Sequence, residues 1–230
     1  MHRFFVSPEA LDGDRFPLPV KIAHQVTRVL RLRDGDEVLL LDGLGGEMRV
    51  RLEAADCVVL ERRAAGGEPS HRLTAWQALL RGDHLEPVIR HGTELGIASF
   101  NLFVSERCVA RDLSSRRLER LQAVAREAAE QSERGIVPQV AAPVTYADAL
   151  RTAASGSVLL FERHDGKRLT EMEPPPSVFI GPEGGFSPAE VEEAERAGVT
   201  IAGLGPRILR SETVAVAACA VILSRTGDFA

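Results

Sequence analysis

The stretch Gly181-Pro-Glu-Gly-Gly185, together with Leu204-Gly-Pro-Arg-Ile-Leu-Arg-Ser-Glu-Thr213 further along the chain, decides the fold. Each glycine-anchored segment follows a short apolar run typical of a strand and precedes a helical pattern. Both segments are therefore predicted to be loops at the carboxyl ends of strands. In an open α/β sheet, this edge is where small ligands bind.

Composition limits the class of protein. The chain has 230 residues, 44% of them hydrophobic, which is enough for one large domain or for a small and a medium one. The longest apolar run, 214–223, is too short to span a bilayer, and the first residues lack the apolar core of a signal peptide. We therefore expect a globular protein of the cytoplasm.

The charge argues against indiscriminate nucleic-acid binding. The formal net charge is −5, whereas such binding comes largely from Lys and Arg that neutralise phosphates. A local basic face is still compatible with this charge. Only Lys21 and Lys167 of the 28 cationic residues are lysines, and arginine suits bidentate phosphate contacts. A GC-rich genome would also favour arginine over lysine.

The commoner active-site motifs are absent from the sequence. It has no P-loop, zinc-protease or nucleophile-elbow motif. Gly43-Leu-Gly-Gly46 joins two strand candidates with no helix after it, which predicts a hairpin turn and not a dinucleotide-binding loop. The three cysteines are far apart, and the six histidines lie in no metal-ligand spacing. We therefore predict neither a disulfide nor a metal site.

Residues 1–68 are predicted to form a small β-rich domain. Short strand candidates are broken by Gly and Asp turns, at 3–6, 37–41, 47–52 and 57–60. A helix over 21–31 lies between them and leaves Arg28, Arg31 and Arg33 near its exposed end. The stretch 64–70 combines small, Gly and Pro residues, as linkers do, which places a domain boundary there.

Residues 72–230 are predicted to form an α/β domain. Strands alternate with helices, which implies βαβ units and a mainly parallel sheet. The predicted strands are 73–80, 100–104, 139–144, 158–161, 178–180 and 199–202. The predicted helices are 84–95, 114–133, 146–154, 188–197 and 213–224. The fourth begins at a capping box, Ser187-Pro-Ala-Glu190.

The two glycine-anchored loops are predicted to bind a ligand through their backbone, although an isolated segment of this kind is often only a tight turn. Pro182 fixes one backbone angle, while Gly184 and Gly185 allow positive φ and close approach. Such a loop suits an adenine or a ribose. In the second loop, Arg210 directly precedes a helix, where a cation is mildly disfavoured, so its placement indicates a function.

Motifs along nearly the whole chain resemble those of the bacterial 16S ribosomal-RNA uracil-N3 methyltransferases of the SPOUT, or α/β-knot, superfamily. The matching segments are Arg3-Phe-Phe5, His24 with 29–33, 93–96, 105–107, Glu127 with 130–134, Pro138, 180–186 and 204–213. The last two are highly specific. Arg81 and His91 stand where the family pattern has lysines, and Val214 replaces an alanine. How the first two positions contact RNA is therefore left open.

The resemblance implies a PUA-like RNA-binding β-barrel over 1–68 and an α/β-knot methyltransferase domain over 72–230, whose chain threads a trefoil knot. It implies S-adenosylmethionine held by the backbone of three loops, no metal, and a homodimer that completes the pocket. The Ala-rich helix 213–224 fits that interface, and would equally fit the core of a monomer. The implied cofactor-binding residues are Leu160, Phe161, Glu162, Gly181, Pro182, Gly184, Gly185, Leu204, Gly205, Ile208, Leu209, Ser211 and Thr213.

The implied reaction is methyl transfer to N3 of a uridine in the decoding region of 16S rRNA, on the 30S ribosomal subunit. N3 carries a proton, so the enzyme must remove it or stabilise the anion left behind. Arg210 is predicted to stabilise that anion. Glu183 is the candidate proton acceptor, although bracing of the loop would explain it better. The predicted RNA-binding residues are Arg3, Arg28, Arg31, Arg33, Arg134 and Arg207.

Three other functions fit parts of the sequence. A knotted methyltransferase could act on a ribose 2′-hydroxyl or on another RNA base. A non-catalytic RNA-binding factor would have kept the barrel and lost the cofactor, which the intact glycine loops disfavour. A nicotinamide-dependent oxidoreductase is weaker still, because no G-x-G-x-x-G opens any βαβ unit.

Overall fold

A computed structural model describes residues 1–162 and 166–229, which divide into two units. The first unit is Met1–Glu68 together with Ala129–Val137, and the second is Pro69–Ala128 together with the chain from Pro138 onward. The chain thus leaves the first unit, returns to it for nine residues and leaves it again. A single boundary in the sequence does not separate the two units.

The first unit is built on a five-stranded sheet with the order β1-β3-β4-β5-β2. Its strands are β1 Arg3–Phe5, β2 Arg15–Pro17, β3 Glu37–Leu41, β4 Gly46–Glu53 and β5 Asp56–Ala64. β1 runs parallel to β3, and the other neighbours are antiparallel. The four predicted strands are present, and β3 and β4 form the expected hairpin. The short β2, which ends in Pro17, was not predicted.

Helical structure between β2 and β3 is irregular. The helix α1, Val20–His24, continues directly into a π-helical turn, Gln25–Val29. Ile22 and Val26 bury one face against the sheet core. Two residues beyond this turn, Arg31 has a φ of 55°, which lies in the left-handed region that favours glycine. This conformation redirects the chain into the exposed stretch that carries Arg33.

A six-stranded parallel sheet, in the order β11-β9-β10-β6-β7-β8, forms the centre of the second unit. Its strands are β6 Thr74–Ala78, β7 Ser99–Val104, β8 Gln139–Thr145, β9 Val158–Leu160, β10 Ser177–Ile180 and β11 Thr200–Ala202. The helices are α2 Leu85–Leu95, α3 Ser115–Gln131, α4 Tyr146–Thr152, α5 Pro188–Arg196 and α6 Ser211–Arg225. The predicted strand and helix alternation and the parallel sheet are confirmed.

Aromatic rings fill the core beside the central strands. Trp76 of β6 stacks on Phe179 of β10 with ring centroids 5.5 Å apart, and Phe103 of β7 stacks on Phe186 at 6.2 Å. All four side chains are buried, as expected for Trp76. This packing holds together β6, β7 and β10, and the Gly181–Gly185 loop begins at the carboxyl end of β10. Within the part of the chain that the structure describes, no helix is long and apolar enough to cross a membrane.

Candidate functional site

An open cavity of about 540 Å³ lies where the adjacent strands β11, β9 and β10 end. Three loops line it, one after each strand. Two are the glycine-anchored loops, and the third, at 160–162, is the one that the family resemblance implies. Twelve of the thirteen predicted cofactor-binding residues line the cavity, and Thr213 does not. The twelve are Leu160, Phe161, Glu162, Gly181, Pro182, Gly184, Gly185, Leu204, Gly205, Ile208, Leu209 and Ser211.

The Gly181–Gly185 loop is a tight turn whose glycines are required. The backbone N–H of Gly185 donates to the carbonyl of Pro182 at 2.9 Å, and Gly185 has a φ of 65°. A Cβ at Gly185 would also lie 3.0 Å from Oε1 of Glu162, in the neighbouring loop. The backbone angle therefore favours glycine at this position, and a side chain would also have to displace the Glu162 carboxylate.

Arg107 braces the same loop from outside. Its Nη1 donates to the carbonyls of Gly184 at 3.0 Å and Phe186 at 3.3 Å. A Cβ at Gly184 would lie 3.0 Å from the Cβ of Arg107, so Gly184 allows this close approach. The sequence alone assigns no role to the 105–107 motif. In the structure, Arg107 of this motif holds the loop in place.

The loop leads directly into α5 through the predicted capping box. Ser187 Oγ accepts from the N–H of Glu190 at 3.3 Å, and the Glu190 carboxylate accepts from the N–H of Ser187 at 2.9 Å. Glu190 also accepts from the N–H of Glu106 at 2.8 Å, and Ser187 donates to the Glu106 carboxylate at 2.7 Å. The cap therefore ties the loop after β10 to the loop after β7.

Arg210 lies at the junction between the third loop and α6. It is the N-cap residue of α6, and its carbonyl accepts from the N–H groups of Thr213 and Val214, both at 2.9 Å. Its guanidinium is exposed, lines the cavity and forms no hydrogen bond or ion pair with the described residues. The backbone fixes Arg210 while its charge is available to a ligand.

Glu183 is held by a neighbouring loop. Its Oε1 accepts from the backbone N–H of Arg81 at 3.1 Å and lies 4.0 Å from Nε of the same residue. About a quarter of its side chain is exposed, 27%. This geometry matches the bracing alternative better than a free proton acceptor.

Six residues in the cavity wall were missed by the sequence interpretation. They are Arg81, His84, Ile180, Phe186, Glu212 and Val214. Nδ1 of His84 lies 3.5 Å from Oε1 of Glu212. Arg81 and His84 follow β6, which pairs with β10, and only this strand pairing brings them to the cavity. The apolar Ile180 and Phe186 could have been found as direct neighbours of the glycine loop.

The predicted RNA-binding arginines fall into two groups. Arg28, Arg31, Arg33 and Arg207 are exposed, and their guanidinium groups have no hydrogen-bonding or ion-pair partner within residues 1–162 and 166–229. Arg207 lines the cavity beside Arg210.

Arg134 and Arg3 form the second group, whose side chains are paired with carboxylates inside the first unit. Arg134 is only 2% exposed, and its Nη2 donates to Oε2 of Glu68 at 2.7 Å. Nη2 of Arg3 lies 3.0 Å from Oε2 of the buried Glu47. Both charges are already compensated inside the first unit, so these residues have a structural role.

The described ranges, 1–162 and 166–229, also bear on a metal site. They contain no set of three or more His, Cys, Asp or Glu side chains placed to hold a metal ion. The cavity is instead lined by backbone, apolar side chains and a few charges.

Comparisons with known proteins agree with this geometry. A model for an RNA methyltransferase domain matches residues 67–223, and a model for an RNA methyltransferase PUA domain matches residues 21–59. A ribosomal RNA small subunit methyltransferase E from Synechocystis is 34% identical over 96% of this chain and 77% of that protein. The protein of the same name from Bacillus subtilis is 30% identical over 98% of this chain and 97% of that protein.

Solved structures give the same result. The crystal structure of a ribosomal RNA small subunit methyltransferase E from Neisseria gonorrhoeae, bound to S-adenosyl methionine, is similar with a TM-score of 0.88 and 31% identity. The similarity covers 98% of each chain. A putative methyltransferase from Legionella pneumophila, in complex with the bound cofactor SAM, gives a TM-score of 0.82 and 26% identity over 97% of each chain.

The fold and the site therefore define an RNA methyltransferase with an α/β-knot domain and a PUA-like β-barrel, which confirms the predicted fold class. The chain belongs to the ribosomal RNA small subunit methyltransferase E family.

Proposed function

We propose that this chain transfers a methyl group from S-adenosylmethionine to N3 of one uridine in 16S rRNA. The observation that carries the proposal is the unpaired guanidinium of Arg210, held by its backbone at the edge of a cavity made from three loops. The relatives named above act on ribosomal RNA of the small subunit, which supports the substrate.

The cavity suits the cofactor in size and in chemistry. Its volume of about 540 Å³ falls in the range for small-molecule sites. Adenosylmethionine supplies a methyl group attached to a positively charged sulfur. Leu160, Ile208 and Leu209 offer apolar surface to its adenosine, and the Glu162 carboxylate offers a negative charge to a cationic ligand. The glycine loops contribute backbone groups without side-chain bulk.

Arg210 supplies the charge that the reaction requires. Loss of the N3 proton leaves an anion spread over N3, O2 and O4 of the uracil ring, and a fixed cation beside it stabilises that charge. Hydrogen bonds of its own carbonyl fix the backbone of Arg210 at the edge of the cavity, and its exposed, unpaired side chain is available to the target base. The Glu183 carboxylate holds the loop against Arg81 through a hydrogen bond, so it is less suited to accept the N3 proton.

RNA binding is assigned to the exposed, unpaired arginines. Arg28, Arg31 and Arg33 lie together in the first unit, within the region matched by the PUA domain model. Arg207 faces the cavity and is placed to contact a phosphate or the target nucleotide. The barrel domain is proposed to span 1–68 and the methyltransferase domain 72–230.

A homodimer is part of the proposal. Along α6, Val214, Val216, Ala217, Ala220 and Val221 are only half-buried, although a helix this apolar is usually covered. Ile208 beside the cavity is 77% exposed. A second copy packed on these residues would cover them and complete the cofactor pocket. Since the substrate is ribosomal RNA, the reaction is placed in the cytoplasm.

Methylation of purified 30S subunits and of naked 16S rRNA tests the proposed function. Labelled adenosylmethionine is supplied, and the product nucleoside is identified by mass spectrometry. We expect N3-methyluridine. A 2′-O-methylated nucleoside or another methylated base would establish the alternative methyltransferase target. Absence of both cofactor binding and methylation would establish the non-catalytic RNA-binding factor.

A further inference from the structure

Gln77 is a polar side chain inside the apolar centre of the main sheet. It lies in β6 with 0% exposure, between the buried Trp76 and Ala78. In register it pairs with Ile180, the last residue of β10 before the glycine loop. Burying an amide in such surroundings is costly unless it is hydrogen-bonded, so a polar residue here calls for an explanation.

The amide of Gln77 connects three elements of the site. Its Nε2 donates to Oγ of Ser211 at 3.0 Å and to the carbonyl of Ala78 at 3.0 Å. Ser211 Oγ in turn donates to the carbonyl of Gly181 at 2.6 Å. Because the only proton of that hydroxyl goes to Gly181, Ser211 must accept from Gln77, which fixes the amide with Nε2 toward Ser211.

We propose that Gln77 is a positioning residue for cofactor binding and methyl transfer. Through Ser211, it sets the distance between the Gly181 loop and the first turn of α6. Arg210 immediately precedes Ser211, so the same relay fixes the backbone that carries the proposed catalytic guanidinium. This inference rests on the proposed function, since it names the residue that holds its two loops together.

The hydrogen-bonding pattern separates this role from a contribution to stability. Oε1 of Gln77 is buried and accepts no hydrogen bond from the described residues. An unpaired buried acceptor destabilises a fold, whereas an apolar side chain of similar length avoids that cost. Gln77→Met should therefore leave stability nearly unchanged or improve it, while removing the link to Ser211.

The experiment measures the Kd for adenosylmethionine by calorimetry, the thermal unfolding midpoint, and kcat and KM for methyl transfer to 30S subunits. For Gln77→Met we expect an increase in Kd of about tenfold with an unfolding midpoint near that of the wild type. At saturating cofactor, kcat should fall by roughly tenfold to a hundredfold, because small displacements of a reacting group cost this much. Ser211→Ala should raise Kd similarly, and the double variant should lose no more than either single one.

Ser177→Ala provides a matched control. Ser177 begins β10 and Ser157 directly precedes β9, and their buried hydroxyl oxygens lie 2.6 Å apart. Loss of the Ser177 hydroxyl should lower the thermal unfolding midpoint and leave the Kd for adenosylmethionine unchanged.

Three results would overturn the inference. A wild-type Kd and kcat in Gln77→Met would remove Gln77 from the site. An equal rise in Kd for Ser177→Ala would show that any loosening of the sheet has this effect. If the wild type itself bound no adenosylmethionine, the proposed function would fail, and this inference with it. Either of the first two results, obtained with a wild type that does bind adenosylmethionine, would overturn this inference and leave the proposed function intact.

Discussion

Arg107 donates to the carbonyl of Gly184 from a position 77 residues earlier in the chain, across a distance of 3.0 Å. The proposed cofactor loop therefore depends on a side chain from the loop after β7, and not only on its own glycines. Because Arg107 supports one face of the Gly181–Gly185 turn, the other face can remain open to the cavity.

Replacing Arg107 with alanine should weaken cofactor binding. The variant loses two hydrogen bonds from a charged donor, to Gly184 and Phe186, which allows the loop to move. We expect a loss of about 1.5 kcal/mol in binding, or roughly tenfold in Kd for adenosylmethionine by calorimetry. Arg116→Ala is the control, because Arg116 is exposed and contacts none of the described residues through hydrogen bonds or ion pairs. Equal Kd values for both variants would show that Arg107 does not support the site.

Gly185→Val should abolish cofactor binding. The new side chain meets the Glu162 carboxylate and requires a φ of 65° that β-branched residues avoid. Gly198→Val is matched in backbone strain, with a φ of 81°, but a Cβ there has nothing within 4 Å. Each should lower the free energy of unfolding by roughly 1–3 kcal/mol. Only Gly185→Val should lose the calorimetric binding signal, and binding at wild-type affinity would show that this loop is not the pocket.

Arg31→Gly should separate RNA binding from stability. Glycine adopts the left-handed conformation of residue 31 without strain, so the free energy of unfolding should stay the same or rise slightly. The loss of one phosphate contact should weaken RNA binding and reduce its salt slope by about one. Ala54→Gly is the control, since Ala54 has a φ of 56° and carries no charge. An unaltered salt slope in Arg31→Gly would move RNA docking to another surface.

Arg134→Ala should act on stability. Removing Arg134 leaves the partly exposed Glu68 carboxylate with only the backbone N–H groups of Gly135 and Ile136, which costs about 1.5–3 kcal/mol. Urea unfolding of this variant measures the loss, with the exposed Arg33→Ala expected to stay within about 0.5 kcal/mol of the wild type. A stable Arg134→Ala protein with weakened RNA binding would restore the original assignment of Arg134 to the RNA interface.

Arg210→Ala should slow turnover and leave cofactor affinity unchanged. The exposed guanidinium forms no hydrogen bond or ion pair with the described residues, so its loss should not disturb the fold. Removing one stabilising group for a developing anion costs about a hundredfold to a thousandfold in kcat. Single-turnover methylation of 30S subunits at saturating adenosylmethionine checks the effect, and Arg207→Ala, which should change RNA affinity more than kcat, is the control. Unchanged turnover in Arg210→Ala would remove this residue from the mechanism.

Local sequence signals account for much of the fold and of the site. The four-residue capping box from Ser187 to Glu190 sets the start of α5 at Pro188. The alternation of strands with helices predicts the parallel sheet. The two glycine-anchored loops of the cavity could be predicted because each follows an apolar strand, whereas the loop at 160–162 was implied by the family resemblance. Their residues are close together in space since the carboxyl ends of neighbouring parallel strands share one edge.

Long-range pairings could not be predicted in the same way. Arg134 looks exposed by residue type, and its burial depends on Glu68, 66 residues earlier in the chain. Gln77, His84 and Arg81 reach the site only because β6 pairs with β10, a pairing between strands about a hundred residues apart. Residues 129–137 join the first unit without any break in composition that would mark them. In each case the deciding contact is absent from the local sequence.

Nucleoside analysis of 16S rRNA from a strain that lacks this protein tests the central claim most directly. We expect N3-methyluridine to be missing from that RNA, to return when the wild-type chain is supplied, and to return poorly or not at all with Arg210→Ala. N3-methyluridine at the wild-type level in the strain without the protein would show that this chain does not make the modification.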